Sequence, residues 1–150
     1  MFWNKKKEWL NKSEQKLVVD AIKQAETTTS GEIRVFIEAK CPNAQVLERA
    51  QEIFIKLKMH QTELRNGVLV YLAHEDHQFC LLGDEGIYQK TGGAAYWEQE
   101  VALAIAEFKQ GAYVNGLIKV ITDIGKSLTD YFPYDATTDK NELPDEIVFG

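Results

Sequence analysis

The sequence contains few of the residues that build covalent or metal-clamped scaffolds. Two of its 150 residues are cysteine, three are histidine and three are proline. Two cysteines cannot form a disulfide framework, and no Cys-x-x-Cys or Cys/His spacing is typical of a zinc site. Cys80 lies in an apolar run and is predicted to be a buried thiol, whereas Cys41 precedes a proline and is predicted to lie in a loop.

Long apolar runs and an excess of positive charge are also missing. No stretch approaches the ~18 apolar residues of a membrane span, and the first ten residues lack the apolar segment of a secretory signal. The net charge of −6 argues against a nucleic-acid partner, which requires a basic surface. We therefore expect a cytoplasmic protein that has no membrane span and binds no nucleic acid.

The common catalytic motifs do not occur. There is no G-x-S-x-G, Walker A, G-x-G-x-x-G or H-E-x-x-H pattern. No nucleophile with an adjacent base can be named, so the residues alone leave open whether the protein is an enzyme.

The apolar residues that are present follow two regular periods. They make up 45% of the chain together with the aromatics, enough for the buried core of one domain. Apolar residues recur at helical spacing after Ser13, a good N-cap, and in three later segments. Three other apolar runs are typical of strands. The order is helix (14–25), strand (32–38), helix (47–57), strand (67–73), strand (78–82), helix (97–108) and helix (114–128).

This order predicts an α/β fold. A strand-helix-strand unit makes the first two strands parallel neighbours, and a four-residue polar turn makes the third an antiparallel hairpin partner. Helices on both faces would give a three-layer α/β/α sandwich with a small mixed sheet. We divide the chain into an N-terminal arm (1–12), the domain (13–134) and an acidic tail (135–150) expected to lie along the surface.

The predicted topology brings distant acids to one end of the sheet. The first two strands start there and the third ends there, so Glu32, Asp84 and Glu85 would converge as oxygen ligands for Ca²⁺ or Mg²⁺. Four other residues would shape this site: Arg65, Asn66, Gly83 and Gly86.

A purely structural interpretation accounts for the same residues. Arg65 could pair with one of the acids, Asn66 and Gly67 could form a turn, and the glycines could serve backbone geometry. The hairpin loop offers a second candidate site, since it holds His74, Glu75, Asp76 and His77, and Asp76 is our fourth candidate metal ligand. Tight turns are polar in any case, and Asp is favoured in them for its backbone hydrogen bonds.

Four segments together resemble the TPM domain family. They are Thr-Ser-Gly-Glu-Ile-Arg-Val (29–35), Arg-Asn-Gly-Val-Leu-Val-Tyr-Leu-Ala (65–73), Asp-His-Gln-Phe (76–79) and Leu-Gly-Asp-Glu-Gly-Ile (82–87). The resemblance runs from about residue 13 to residue 132. The Phe-Pro-Tyr motif (132–134) and the Asn-Glu-Leu-Pro-Asp-Glu tail are similar to the soluble bacterial branch.

The resemblance implies a mixed sheet flanked by helices and acidic loops that bind divalent cations. It also implies the acid phosphatase activity claimed for plant relatives, and roles in assembly or repair, since the family includes thylakoid-lumen proteins of photosystem repair and a modulator of acetylcholine receptors. His77 stands where relatives commonly have Arg. Asp84 and Glu85 stand where many have an aromatic residue, which adds negative charge.

Three functions are compatible with these observations. The first is a module that binds Ca²⁺ or Mg²⁺ and serves protein assembly or repair. The second is a metal-assisted acid phosphatase in which Arg65 would clamp the phosphate. The third is an interaction scaffold that contacts a protein partner without metal, through the acidic tail or the aromatic N-terminal arm.

Overall fold

Helices alternate with strands along most of the chain. The computed structural model describes residues 9–135 and 143–150. Within these ranges it contains five α-helices, a 3-10 turn (Met59–Gln61) and four strands: α1 (Lys12–Glu26), β1 (Glu32–Glu38), α2 (Val46–Lys56), β2 (Gly67–Ala73), β3 (Gln78–Gly83), α3 (Glu85–Lys90), α4 (Ala94–Phe108), α5 (Tyr113–Tyr131) and β4 (Val148–Phe149).

The strands form one mixed sheet in the order β3-β2-β1-β4. β1 pairs in parallel with β2 over its full length, and β2 pairs antiparallel with β3. Both pairings confirm the topology predicted from the sequence. β4 was not predicted: it pairs in parallel with the outer edge of β1, where the acidic tail was expected to lie on the surface.

Helices cover both faces of the sheet, as the three-layer α/β/α prediction requires. One face of β1 and β2 packs against α1, α4 and α5, and the opposite face packs against α2. All seven residues of β1 and all seven of β2 are buried, so both strands are covered on both sides. None of the helices within the described ranges is both long and apolar enough to cross a bilayer.

The first helix begins earlier than the sequence predicted. Its N-cap is Asn11 rather than Ser13: the Asn11 side chain accepts the N–H of Glu14 at 2.8 Å, and the Glu14 carboxylate accepts the N–H of Asn11 at 2.9 Å. This reciprocal capping box satisfies two backbone donors at once, which Ser13 could not do. The part of the N-terminal arm that is described is packed, since Leu10 lies in the core and Trp9 stacks on His74.

A buried carboxyl on α4 lies beside a half-buried carboxyl on α5. Glu100 on α4 is 7% exposed and hydrogen-bonds Asp123 on α5, while its Oε1 atom has no hydrogen-bond partner. Burial, and then the hydrogen bond and charge of Asp123, raise the pKa of Glu100 from 4.5 to about 7, although Lys119 acts in the opposite direction. The helix interface therefore holds a proton at mildly acidic pH.

Glu100 is expected to make stability depend on pH. Because its pKa is higher in the folded state, the unfolded chain gains more from ionisation, and the free energy of unfolding should fall as pH rises from about 4.5 to about 7. Glu100→Gln should reduce this slope and raise the free energy of unfolding at pH 8 by ~1–2 kcal/mol. Urea denaturation at pH 5 and pH 8 measures both quantities.

Glu98→Gln is the matched control, because Glu98 lies on the same helix and is exposed. It should leave the pH slope of the wild type unchanged. Equal slopes for the wild type and Glu100→Gln would show that this carboxyl is not the titrating group.

Candidate functional site

The predicted convergence of strand ends is present. Glu32 pairs with Gly67, and Val68 pairs with Gly83, so the starts of β1 and β2 and the end of β3 lie at one end of the sheet. The N–H of Asp84 donates to the carbonyl of Gly67 at 2.9 Å and fixes the exit from β3. This end of the sheet is the candidate site.

Arg65 links the two acids that follow β3. Its Nε and Nη2 atoms donate to the two oxygens of Asp84 at 2.7 and 2.8 Å, and Nη1 donates to Glu85 at 3.3 Å. Asp84 is buried, whereas the side chain of Arg65 is 44% exposed. Two carboxylates therefore point at one partly exposed positive charge. The hydrogen bonds and charge of Asp84, and then the charge of Glu85, raise the pKa of Arg65.

The segment after β3 is a short helix, α3, which the sequence did not predict. Asp84 is the N-cap of α3 and accepts the N–H of Glu85 at 2.8 Å. Gly86 is required by a close approach of two backbones: its N–H donates to the carbonyl of Arg65 at 2.9 Å, and a Cβ would lie 2.5 Å from that oxygen. Arg65 itself has a φ of 53°, in the left-handed region.

Asn66 and Gly83 support the site without lining it. Asn66 is buried; its side chain donates to the hydroxyl of Ser30 at 3.3 Å, and its carbonyl accepts the N–H of Glu32 at 3.3 Å. A Cβ at Gly83 would lie 2.8 Å from the ring of Trp97. Asn66 thus fixes the backbone at the start of β1, and Gly83 lets Trp97 of α4 pack closely on β3. These contacts agree with the purely structural interpretation of the two residues.

Two of the four candidate ligands lie elsewhere. Glu32 is separated from the end of β3 by two strand spacings, which amount to ~10 Å. Asp76 lies at the opposite end of the sheet, in the β2–β3 hairpin, where it accepts the N–H of Cys41 at 2.8 Å. Among the residues that the structure describes, no three Asp, Glu, His or Cys side chains are arranged to hold a metal ion.

Glu32 belongs to a second charged cluster at the outer edge of β1. There the charge of the buried Arg34 is stabilised by the negative charges of four acids: Glu26, Glu32, Asp145 and Glu146. Burial lowers the pKa of Arg34, and its Nε atom has no hydrogen-bond partner in the structure. This cluster was not predicted from the sequence, because it depends on the C-terminal residues returning to β1.

Glu26 extends this cluster to the end of α1. Its carboxylate accepts the N–H of Ile33 at 2.8 Å, and its side chain hydrogen-bonds Asp145. Burial, followed by the hydrogen bond with Asp145, raises the pKa of Glu26 to about 10. Glu26 is therefore protonated at neutral pH, and it joins α1 to the C-terminal residues.

A third polar network closes the opposite end of β1. Glu38 accepts two hydrogen bonds from Arg49 on α2, both 2.8 Å long, and one of 2.6 Å from the hydroxyl of Tyr71. Burial would raise the pKa of Glu38, but these hydrogen bonds outweigh it and lower the value. This network was not predicted from the sequence. The one available signal was the charged residue Glu38 at the end of a mostly apolar strand, and it did not identify Arg49 and Tyr71 as the partners.

The histidine-rich hairpin is packed against the N-terminal arm. The ring of His74 stacks on Trp9 with centroids 4.4 Å apart, and burial lowers the pKa of His74. His77 has a φ of 54°, which an αL turn position explains. Backbone N–H groups of Glu75 and Asp76 donate to the carbonyl of Ala39, so this loop secures the end of β1.

A family model decides what kind of domain this is. The model described as the TPM domain matches residues 4–127, most of the chain. The chain belongs to the TPM domain family. The assignment confirms the resemblance drawn from the four sequence segments.

Solved structures of bacterial proteins share the fold of this TPM domain. The NMR structure of the BA42 protein from the psychrophilic bacterium Bizionia argentinensis is 42% identical, with a TM-score of 0.87, covering 97% of this chain and 99% of that one. The N-terminal domain of the cg2496 protein from Corynebacterium glutamicum is 14% identical with a TM-score of 0.63, covering 80% and 74%. The second likeness concerns the fold alone. No curated protein sequence matches the chain.

Gly86→Ala tests whether this TPM domain needs the close approach beneath Arg65. The new Cβ would meet the carbonyl oxygens of Leu64 and Arg65, each at 2.5 Å, so backbone must shift. We expect the free energy of unfolding to fall by ~2–4 kcal/mol. Glu85→Ala at the exposed neighbouring position is the control and should change it by less than ~0.5 kcal/mol. Chemical denaturation measures both, and similar small losses would contradict the contact.

Proposed function

We propose that the chain is a divalent-cation-binding module whose protein ligands are Asp84 and Glu85. The observation that supports this is the position of the Arg65 guanidinium, which both carboxylates approach within 3.3 Å. A guanidinium held between two carboxylates marks a place where positive charge is favourable. A hydrated cation can take that place when the exposed arginine side chain moves into solvent.

The ligand number suits Mg²⁺ or Ca²⁺ bound with several waters. Mg²⁺ commonly binds through one or two carboxylates and retains water, and Ca²⁺ accepts water among its six to eight oxygen ligands. Glu32 is too far from Asp84 to complete this set, so our proposal leaves it out. Because the cation must compete with Arg65, we expect affinity in the millimolar range.

The phosphatase alternative receives less support from the same geometry. A phosphate clamp requires an arginine with free donors, whereas three donors of Arg65 are used by Asp84 and Glu85. No described side chain near Arg65 is placed as a nucleophile with its base. A role in assembly or repair, and a protein partner, stay predictions from the family.

A cation titration followed by ¹⁵N NMR tests the proposal. Adding Mg²⁺ or Ca²⁺ to ~10 mM should shift the amide signals of residues 65 and 84–87 in a saturable manner. Arg65→Gln removes the competing charge, so it should bind the cation at least ~5-fold more tightly. Asp84→Asn should abolish the saturable shifts.

Asp76→Asn is the matched control, because it removes one carboxylate at the opposite end of the sheet. It should leave the affinity of the wild type unchanged. Shifts that are absent in the wild type and in Arg65→Gln alike would refute the cation site. Shifts centred on the hairpin would move the site there.

A further inference from the structure

Within residues 9–135 and 143–150, little backbone pairs with the outer edge of β1. β4 contributes two paired residues, with Phe36 opposite Val148 and Ile37 opposite Phe149, and the N–H of Gly150 donates to the carbonyl of Ile37 at 2.9 Å. The N–H of Ile33 on the same edge is taken by a side chain, that of Glu26, rather than by a strand. Among the residues that the structure describes, the strand that pairs with this edge is therefore only two residues long.

The residues before and within β4 fill apolar sites along this edge. Leu143 is 9% exposed and joins the core on the α2 face, where Val148 also packs, while Ile147 packs against the core on the other face. Leu143 and Pro144 line one wall of a cavity of about 320 Å³, and residues 57–62, which follow α2, line the other wall. Ile147 and Val148 are neighbours in the chain and enter opposite sides of the sheet, as successive residues of a strand do.

The two acidic residues that precede Ile147 and Val148 lie near the positive charge of Arg34. Arg34, which is buried and has an unsatisfied Nε atom, faces Asp145 and Glu146. Asp145 also hydrogen-bonds the protonated Glu26. This edge therefore combines backbone pairing and apolar side-chain sites with a buried positive charge near Asp145 and Glu146.

We propose that the outer edge of β1 is a binding groove for an extended peptide of a partner protein, and that residues 143–150 occupy it as an internal competitor. The partner peptide would carry two acidic residues followed by two aliphatic residues, and would pair in parallel with β1. The exposed Phe149 and the two-residue pairing make the internal occupant replaceable. The C-terminal tail then regulates the interaction surface instead of forming it.

Peptide binding to the full-length chain tests this groove. The probe is a fluorescently labelled peptide with the sequence of residues 143–150, Leu-Pro-Asp-Glu-Ile-Val-Phe-Gly. In the wild type the tethered tail competes at a high effective concentration, so binding should be weak. In Val148→Asp, which weakens the internal strand, the peptide should bind at least ~10-fold more tightly in fluorescence anisotropy.

Two further variants separate specific pairing from non-specific adhesion. A peptide with Asp145→Asn and Glu146→Gln should bind Val148→Asp at least ~10-fold more weakly. In the chain that also carries Arg34→Gln, the two peptides should bind with similar affinity, because the cation that distinguishes them is gone. Val148→Ser is a milder variant that should show the same order if Val148→Asp does not fold, as judged by the dispersion of its ¹⁵N NMR spectrum.

Three outcomes would overturn the proposal. Equal peptide affinity for the wild type and the folded Val148 variants would show that the tail does not occupy the binding site. Equal affinity of the acidic and amide peptides for Val148→Asp would remove the role of Arg34. A wild-type dimer in light scattering that the peptide dissociates would assign the groove to a second copy of this chain rather than to another protein.

Discussion

The parallel pairing of β1 with β2 is the constraint on which the rest of the structure depends. It fixes seven residue pairs in register and places the start of both strands at one end of the sheet. The β2–β3 hairpin then returns the chain to that end, where Asp84 caps α3 and meets Arg65. A slip of one residue in β1 would turn its aliphatic side chains to the opposite face and dissolve both core clusters.

The sequence was sufficient to predict β1, β2 and β3 and their pairing, but not β4 at the outer edge of the sheet. Unbroken apolar runs and a four-residue turn predicted β2 and β3, and the helix between β1 and β2 predicted their parallel pairing. α3 was not predicted because it spans only six residues, one of which is Gly86, a residue that disfavours helix. β4 escaped it because a two-residue strand in an acidic tail is specified by its partner on β1, which lies over a hundred residues away.

The candidate site shows the same division between local and distant information. Topology alone brought Asp84 and Glu85 to the correct end of the sheet. Which of the acids point at a common centre depends on side-chain directions: Arg65 draws in the two that follow β3, and Arg34 faces Glu32 from its own strand. Strand order fixes which ends meet, but it does not decide which side chains face each other.

The charges within β1 explain why its outer edge cannot be an ordinary free edge. Three of its seven residues are charged and buried: Glu32, Arg34 and Glu38. Burying a charge is costly unless a partner compensates it. Glu38 receives Arg49 from α2, but the acids that face Arg34 include two from the C-terminal residues. A tail that leaves this edge exposes an arginine that has lost two of its acids, so the same charge that holds the tail favours another acidic segment in its place.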